Sequence, residues 1–337
     1  VKSFEYARAT DVGSALMEVG QVPNSKFLGG GTNLVDLMRY EVESPDRLVD
    51  VGHIPLNKIE LLEGGAVRIG ALVRNSDLAA HPDIVRNFPV LSQALLNGAS
   101  PQLRNMATTG GNLLQRTRCY YFNDTAFPCN KREPGSGCPA IVGYNRIHAI
   151  LGQSDVCIAV HPSDMAVALA ALDATIHVEG KNGKRDIPIA DFHRLPGDTP
   201  QVETSLEPGE LVVSVTLPHS GVAKNSHYVK VKDRASYAFA LVSVAAALEI
   251  HEGKVTDARI ALGGVAHKPW RAKEAERSLI GKSVGKDSLK LAADLALSGA
   301  KGYEHNQFKI ELAKRTIVRA FMDIVEGKGN RVPGENA

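Results

Sequence analysis

Residues 107–119 read ATTGGNLLQRTRC, joining a glycine turn to the first of the chain's four cysteines, which stand at 119, 129, 138 and 157. Between those cysteines lie YYFNDTAFP, NKREPGSG and PAIVGYNRIHAILGQSDV, mixtures of Pro, Gly and charge with little periodicity in the first half. Such a segment cannot bury enough apolar surface to hold its own shape, so something else must pin it. Thiols on separate turns of a Gly/Pro-rich loop can converge as ligands of an iron–sulfur cluster or of zinc, they can pair as disulfides, or they can be unrelated to one another. The spacing, with 9, 8 and 18 intervening residues, lacks the close cysteine pairs of structural zinc sites. Four cysteines in 337 residues are also too few for a disulfide scaffold of the small secreted type, which favours a metal centre over staples.

The glycine turn has a counterpart upstream. KFLGGGTNLVDLMRYEVESPDRLVDVG (26–52) reads as a strand (26–28), a glycine turn (29–31), a helix (33–40) and a strand (47–51), a compact βαβ unit. Consecutive N–H groups in such a turn point at one locus beside a helix N-terminus, where a phosphate or pyrophosphate is the natural guest. The run is neither a Walker A motif nor a spaced dinucleotide fingerprint, and a plain tight turn is the rival reading. The second loop, Ala107, Thr108, Thr109, Gly110, Gly111 and Asn112, has the same chemistry: small residues, hydroxyls, two glycines and an Asn. Two such loops, each expected to follow a strand, suggest a ligand with an extended polar backbone gripped from both sides. FAD fits, because its pyrophosphate takes amide donors and its ribityl chain takes Asn, Asp and hydroxyl partners.

Further along, HPSDMAVALAALDATIHVEG (161–180) opens a helix at Pro162–Ser163 that hands over to a strand at 175–178, and LPGDTPQVETSLEPGE (195–210) is a long loop that must cover or contact something. A boundary is expected near residue 180. Beyond it, 210–218, 226–234, 239–250 and 255–265 read as antiparallel strands, followed by helical patterns at 270–279, 287–297 and 309–326, an α+β arrangement. Asp164 could bond a ribityl hydroxyl or simply cap its helix. Lys230 and Arg234 alternate with apolar residues on a strand and could face a cofactor or solvent. His148 and His161 are further candidate metal ligands. The C-terminal RVPGENA is expected to fray.

Composition narrows the function classes. Net charge is +2 and aromatic content 5%, which supports neither a nucleic-acid binder nor a base-stacking platform. The longest apolar run, near 237–250, is too short to span a bilayer, and VKSFEYARATD has neither an apolar export core nor a twin-arginine pattern. The chain is therefore expected to be cytoplasmic, processed, or exported folded beside a partner that carries the signal. No Ser-His-Asp order, HExxH or carboxylate pair appears, so hydrolysis has little support.

The runs FLGGGTNLVDLM, LRNMATTGGNLLQRTRC, HPSDMAVALAALDA, KVKDRASYAFALVSVAAAL and ALGGVAHKPWRAKEAE together resemble the FAD-binding subunit of the molybdenum hydroxylases, the group that includes xanthine dehydrogenases and bacterial carbon monoxide dehydrogenases. Within that group the likeness is to the flavin subunit of bacterial periplasmic aldehyde oxidoreductases. The resemblance implies an α+β protein of the vanillyl-alcohol-oxidase-like (PCMH-type) FAD fold: subdomain 1 over 1–56, subdomain 2 over 57–180, and a C-terminal domain over 181–330. It implies that Leu28, Gly29, Gly30, Gly31, Thr32, Asn33 and Leu34, with the loop 107–112, hold FAD, and that Asp164 and Lys230 lie near it. Most of the family runs uninterrupted from the TTGGN loop to the Ser-Asp pair. This chain instead inserts a segment over 115–158, as do the aldehyde oxidoreductases and the 4-hydroxybenzoyl-CoA reductases, which hold a [4Fe-4S] cluster there. Cys119, Cys129, Cys138 and Cys157 would then be its ligands. Tyr237 stands where xanthine dehydrogenases carry acidic residues, which puts NAD as acceptor in doubt. The implied partners are a molybdopterin large subunit and a small subunit with two [2Fe-2S] clusters, and the implied role is electron transfer from aldehyde oxidation to an external acceptor, in the periplasm by co-export. The alternatives are an enzyme that reduces aromatic thioesters with the electron flow reversed, and a non-redox assembly subunit stabilised by zinc.

Overall fold

The computed structural model describes residues 1–328, so RVPGENA lies outside the described residues. Strands β1 (Glu5–Arg8), β2 (Ser25–Leu28) and β3 (Arg47–Asp50) form a parallel sheet in the order β1-β3-β2. Parallel neighbours need a crossover. Here the helix Val12–Gln21 supplies one, started by Asp11, whose carboxylate accepts from the Ser14 N–H at 2.8 Å. The second is the turn at Gly29–Gly31 with the helix Leu34–Arg39, so the βαβ reading of this region matches the structure.

A second sheet contains β4 (Ile59–Leu61), β5 (Val67–Gly70), β6 (Thr175–Gly180), β7 (Gly183–Pro188) and β8 (Leu211–Leu217), antiparallel in the order β4-β5-β8-β6-β7. This corrects the boundary expected near 180. Residues 175–188 form one hairpin, and β8, expected in the C-terminal sheet, instead lies between β5 and β6. The second subdomain therefore runs to about residue 217. The physical reason is that LVVSVTL is an apolar strand that suits either sheet, and the long loop before it hides which one it joins.

The last sheet, β9 (Ser226–Val231), β10 (Val242–His251), β11 (Lys254–Gly263) and β12 (Trp270–Arg271), is antiparallel in the order β12-β11-β10-β9. The helices Lys273–Leu279, Lys286–Ala296 and Phe308–Val325 accompany it. Side chains of a strand alternate between faces. On β10 the set Val242, Val244, Ala246 and Leu248 packs into a core with those helices, while Ala245, with Ala261 of β11, packs into the core of the second subdomain. Both faces of this sheet are thus buried, and the alanines allow a close approach. At Gly263, an added Cβ would stand 2.5 Å from a methyl of Val167 on the helix Asp164–Ala171. No helix among the described residues is long and apolar enough to cross a membrane.

Candidate functional site

The two glycine loops touch. An added Cβ on Gly30 would lie 1.9 Å from the carbonyl oxygen of Met106, and one on Gly29 would lie 3.0 Å from the Thr108 hydroxyl. Gly31 takes a left-handed φ of +73°, which turns the chain into the following helix. Among the described residues the N–H groups of 29–33 donate to no protein acceptor. The second loop divides its labour differently. Thr109 gives both its N–H and its hydroxyl to the Val73 carbonyl (2.9 and 3.0 Å), and Gly110 N–H donates to Ala71 (2.8 Å). These two residues fasten the loop and have no donors left for a ligand. Thr108 caps the short helix Thr109–Leu113 by accepting from Gly111 N–H at 3.2 Å. The expected strand before this loop is replaced by a short helix, Pro101–Arg104, with only an isolated bridge between Arg74 and Thr108.

Beside the loops lies a cavity of about 700 Å³. Of the residues expected to bind a cofactor, Thr32, Asn33, Ala107, Gly111, Asn112, Asp164 and Lys230 line it. Leu28, Gly29, Gly30, Gly31, Leu34, Thr108, Thr109 and Gly110 are not among the residues that line it. Asp164 and Lys230, read separately from the sequence, form one buried pair at 2.7 Å. The carboxylate also accepts from the Tyr228 hydroxyl at 2.6 Å, and the ammonium donates to the Asn97 carbonyl at 2.9 Å. Burial pushes the Asp164 carboxyl up from its ordinary range even though Lys230 opposes the shift. Ser163, not Asp164, caps the helix, accepting from Ala166 N–H and donating to Asn112 Oδ1 at 2.6 Å. Arg234 and Tyr237 line the cavity as well; Tyr237 has a left-handed φ of +51°, and its carbonyl accepts from Arg234.

Asn75, Arg118 and Asn123 line the cavity and were not singled out from the sequence, and they join Asn33 there. Asn33 Nδ2, Asn75 Oδ1, Arg118 Nε and Asn123 Oδ1 are buried without a partner on this wall. Buried polar atoms are rarely left unpaired, so the group of four marks where a polar guest would sit. Arg118 also lies over the Phe239 ring, 5.0 Å from its centroid. Only its place beside Cys119 in RTRC could have drawn attention to it. The cavity is within the usual size of a cofactor site, and its apolar walls with a few convergent polar groups suit a dinucleotide such as FAD.

All four cysteines line one small pocket, with Phe122, Ala140 and Lys131 among its other walls, and none is in a disulfide. Cys119, Cys129 and Cys157 are buried and Cys138 is partly so. The loop is held largely by side chains bonding to its own backbone. Asn130 Oδ1 accepts from Gly135 and Gly137 N–H (3.1 and 2.8 Å), Ser136 Oγ accepts from Cys129 N–H (3.0 Å), and Arg132 donates to the carbonyls of Tyr121, Phe122 and Phe127. Burial pushes the Cys119 thiol up to about 12, whereas a hydrogen bond from Cys157 pulls Cys138 down to about 6. Among the described residues no three His, Cys, Asp or Glu side chains are grouped so as to hold a metal ion. A cluster presents several irons, so four thiols around one pocket suit it in donor type and number. Of the two histidines considered as ligands, His148 places Nε2 3.1 Å from Cys119 Sγ, while His161 is not among the residues lining the pocket and its ring lies tilted against that of His193, 4.1 Å between centroids.

Comparison with known proteins follows the same division. Residues 2–220 match the family model described as the FAD binding domain in molybdopterin dehydrogenase, and 227–324 match that of the CO dehydrogenase flavoprotein C-terminal domain. The chain is 54% identical over 318 residues to the aldehyde oxidoreductase FAD-binding subunit PaoB of Escherichia coli K12, covering 94% of this chain and 96% of that one. It is 28% identical to the glyceraldehyde dehydrogenase medium chain of Sulfolobus acidocaldarius, covering 95% and 98%. Among solved structures, carbon monoxide dehydrogenase from Hydrogenophaga pseudoflava matches with a TM-score of 0.75 at 27% identity, covering 96% and 98%. Quinoline 2-oxidoreductase from Pseudomonas putida 86 shares the fold, with a TM-score of 0.75 at 24% identity.

Proposed function

We propose a function from the premise that this chain belongs to the FAD-binding subunits of the molybdopterin dehydrogenases, the molybdenum hydroxylase family. The chain is the FAD and [4Fe-4S] subunit of an aldehyde oxidoreductase. The observation that carries the substrate class is the 54% identity to an aldehyde oxidoreductase subunit across nearly the whole of both chains. Its partners are a molybdopterin-bearing large subunit and a small subunit with [2Fe-2S] clusters, and the complex works in the periplasm after co-export with a partner that carries the signal.

FAD, when bound, accepts electrons singly and can release them in pairs to an external acceptor. The residues of this chain then bind and orient it. The free N–H groups of Thr32 and Asn33, both on the wall, offer donors for the pyrophosphate, and Asn33, Asn75, Asn112 and Asn123 offer amide groups beside them. The Asp164–Lys230 pair fixes one end of the cavity without exposing a net charge to it. Nothing in this set must act as nucleophile. Cys119, Cys129, Cys138 and Cys157 would hold the cluster, which supplies a one-electron store close to the flavin site.

Co-expression with the two partner subunits tests this reading. The purified complex should absorb near about 450 nm from flavin, oxidise aromatic aldehydes with an artificial acceptor, and lose about four irons per complex in Cys129→Ser while keeping its flavin. A colourless zinc protein, or a complex that reduces aromatic thioesters and oxidises no aldehyde, would overturn it.

A further inference from the structure

A second cavity, of about 260 Å³, lies behind the cofactor cavity and shares only Gln115 with its wall. Four parts of the chain meet there: the link from the TTGGN loop to Cys119, the cysteine segment through Lys131, the long loop through Glu203, and the C-terminal domain through His267. A chain of charges runs along it. Lys131, with its side chain 2% exposed, bonds Glu203 at 2.8 Å and the Pro200 carbonyl at 2.8 Å. Glu203 bonds Arg116 at 2.5 Å, Arg116 bonds Glu43 at 2.6 Å, and Glu43 ends the chain at Lys26, 3.6 Å away. Three cations face two carboxylates, leaving one positive charge. Both carboxylates are fully engaged, whereas Lys131 keeps one N–H and Arg116 keeps its Nη2 donors without a protein acceptor among the described residues.

Three imidazoles complete the wall, and their bonding is unfinished. His193, 3% exposed, donates Nε2–H to the Leu113 carbonyl at 2.8 Å, so its Nδ1 is left as a lone-pair acceptor with no partner. Among the described residues His267, 7% exposed, has no partner on either ring nitrogen, and His161 has none on Nε2. Buried polar atoms in this state call for an occupant. A metal ion is a poor one, since no three ligands here surround a point and the ammonium of Lys131 repels a cation.

We propose that this chamber binds a small protonated oxyanion, of which hydrogen phosphate is the type, with its oxygens on Lys131, Arg116 and His267 and its O–H directed to His193 Nδ1. The unused donors of Lys131 and Arg116, in a charge chain whose odd positive charge is that of the half-exposed Lys26, favour an anion, and the lone acceptor selects a form that keeps a proton. Because the walls come from all parts of the chain, the bound ion would also tie the cysteine segment and the long loop to the C-terminal domain. This site depends on neither the cluster nor the aldehyde assignment.

Calorimetric titration of the FAD-loaded complex with inorganic phosphate, in a phosphate-free buffer of fixed ionic strength, tests it. FAD keeps the pyrophosphate site occupied. The expected result is saturable binding of one phosphate per complex, weakened about tenfold or more in His267→Phe and in Lys131→Met, and recovered in Lys131→Arg. His267→Phe leaves the charge chain intact and decides the matter if Lys131→Met does not fold. No saturable heat up to about 20 mM phosphate, binding unchanged in both variants, or a phosphate-soaked crystal showing only water in the chamber would overturn the proposal.

Discussion

His148 stands 3.1 Å from Cys119 Sγ, and its main-chain carbonyl accepts from Lys309 Nζ at 2.7 Å and Asn306 Nδ2 at 3.2 Å, which fixes the backbone that carries the ring. In the proposed cluster the Cys119 thiolate could only accept, so Nε2–H would be the donor of this pair. Donation to sulfur stabilises the more negative, reduced form of a cluster. In His148→Leu the reduction potential should fall by on the order of 50 mV, one modest hydrogen bond for a one-electron couple. An EPR-monitored redox titration measures it, with iron content unchanged. An unaltered potential at full iron content would show that the contact is only packing. From the sequence His148 could be singled out as near the cysteines, but not its role, because a ligand and a donor to a ligand look the same in one dimension. The same holds for Asp164 and Lys230: both were legible as polar residues near a cofactor, and neither as the other's partner across a gap of 66 positions.

At the scale of the elements, the two loops behave as one unit. Gly30 lies with its Cα against the Met106 carbonyl, so the first loop cannot keep its position if a side chain is added. Gly30→Ala should reduce flavin content sharply and destabilise the subunit by more than about 2 kcal/mol. Gly20→Ala, in the helix Val12–Gln21 with nothing within 4 Å, should be neutral or stabilising by up to about 1 kcal/mol. Flavin absorbance and denaturant midpoints of the two variants check both, and equal behaviour would refute the contact. Each glycine turn was legible through its composition and the helix that follows. Their mutual contact was not, because backbone against backbone leaves no signature in residue type. The strand expected before the second loop failed for a related reason: Pro101–Arg104 is too short to show helical periodicity.

For the whole molecule, three parts were legible from the order of strand and helix patterns, and the division between the last two was misplaced because β8 belongs to a sheet whose other strands precede it by many residues. Burial of Lys309 was equally hidden in the polar side of a helix pattern. Its Nζ bonds the carbonyls of His148 and Gly264, with no carboxylate paired to it among the described residues, and burial pushes its pKa down to about 7. Below that value folded and unfolded chains both hold the proton, and the penalty of a buried charge is present in full. As pH rises from about 7 toward the unfolded value of about 10.4, only the folded state gives the proton up, so this residue's contribution to stability improves. The melting temperature of the wild type relative to Lys309→Met should therefore increase between about pH 7 and about pH 9.5. A constant difference across that range would mean the ammonium stays charged inside.

The grip of residues 301–309 on the segment 145–150 bears on how the protein is made. Lys301 N–H bonds the Ile150 carbonyl, His305 N–H bonds Asn145 Oδ1, and Asn306 and Lys309 hold His148. The pocket of the four cysteines therefore takes its final form only after residues 301–309 have left the ribosome. Maturation of this subunit is post-translational by construction: nascent chains truncated before residue 300 should expose the cysteine thiols to alkylation, whatever the supply of iron, sulfide or flavin in the cell.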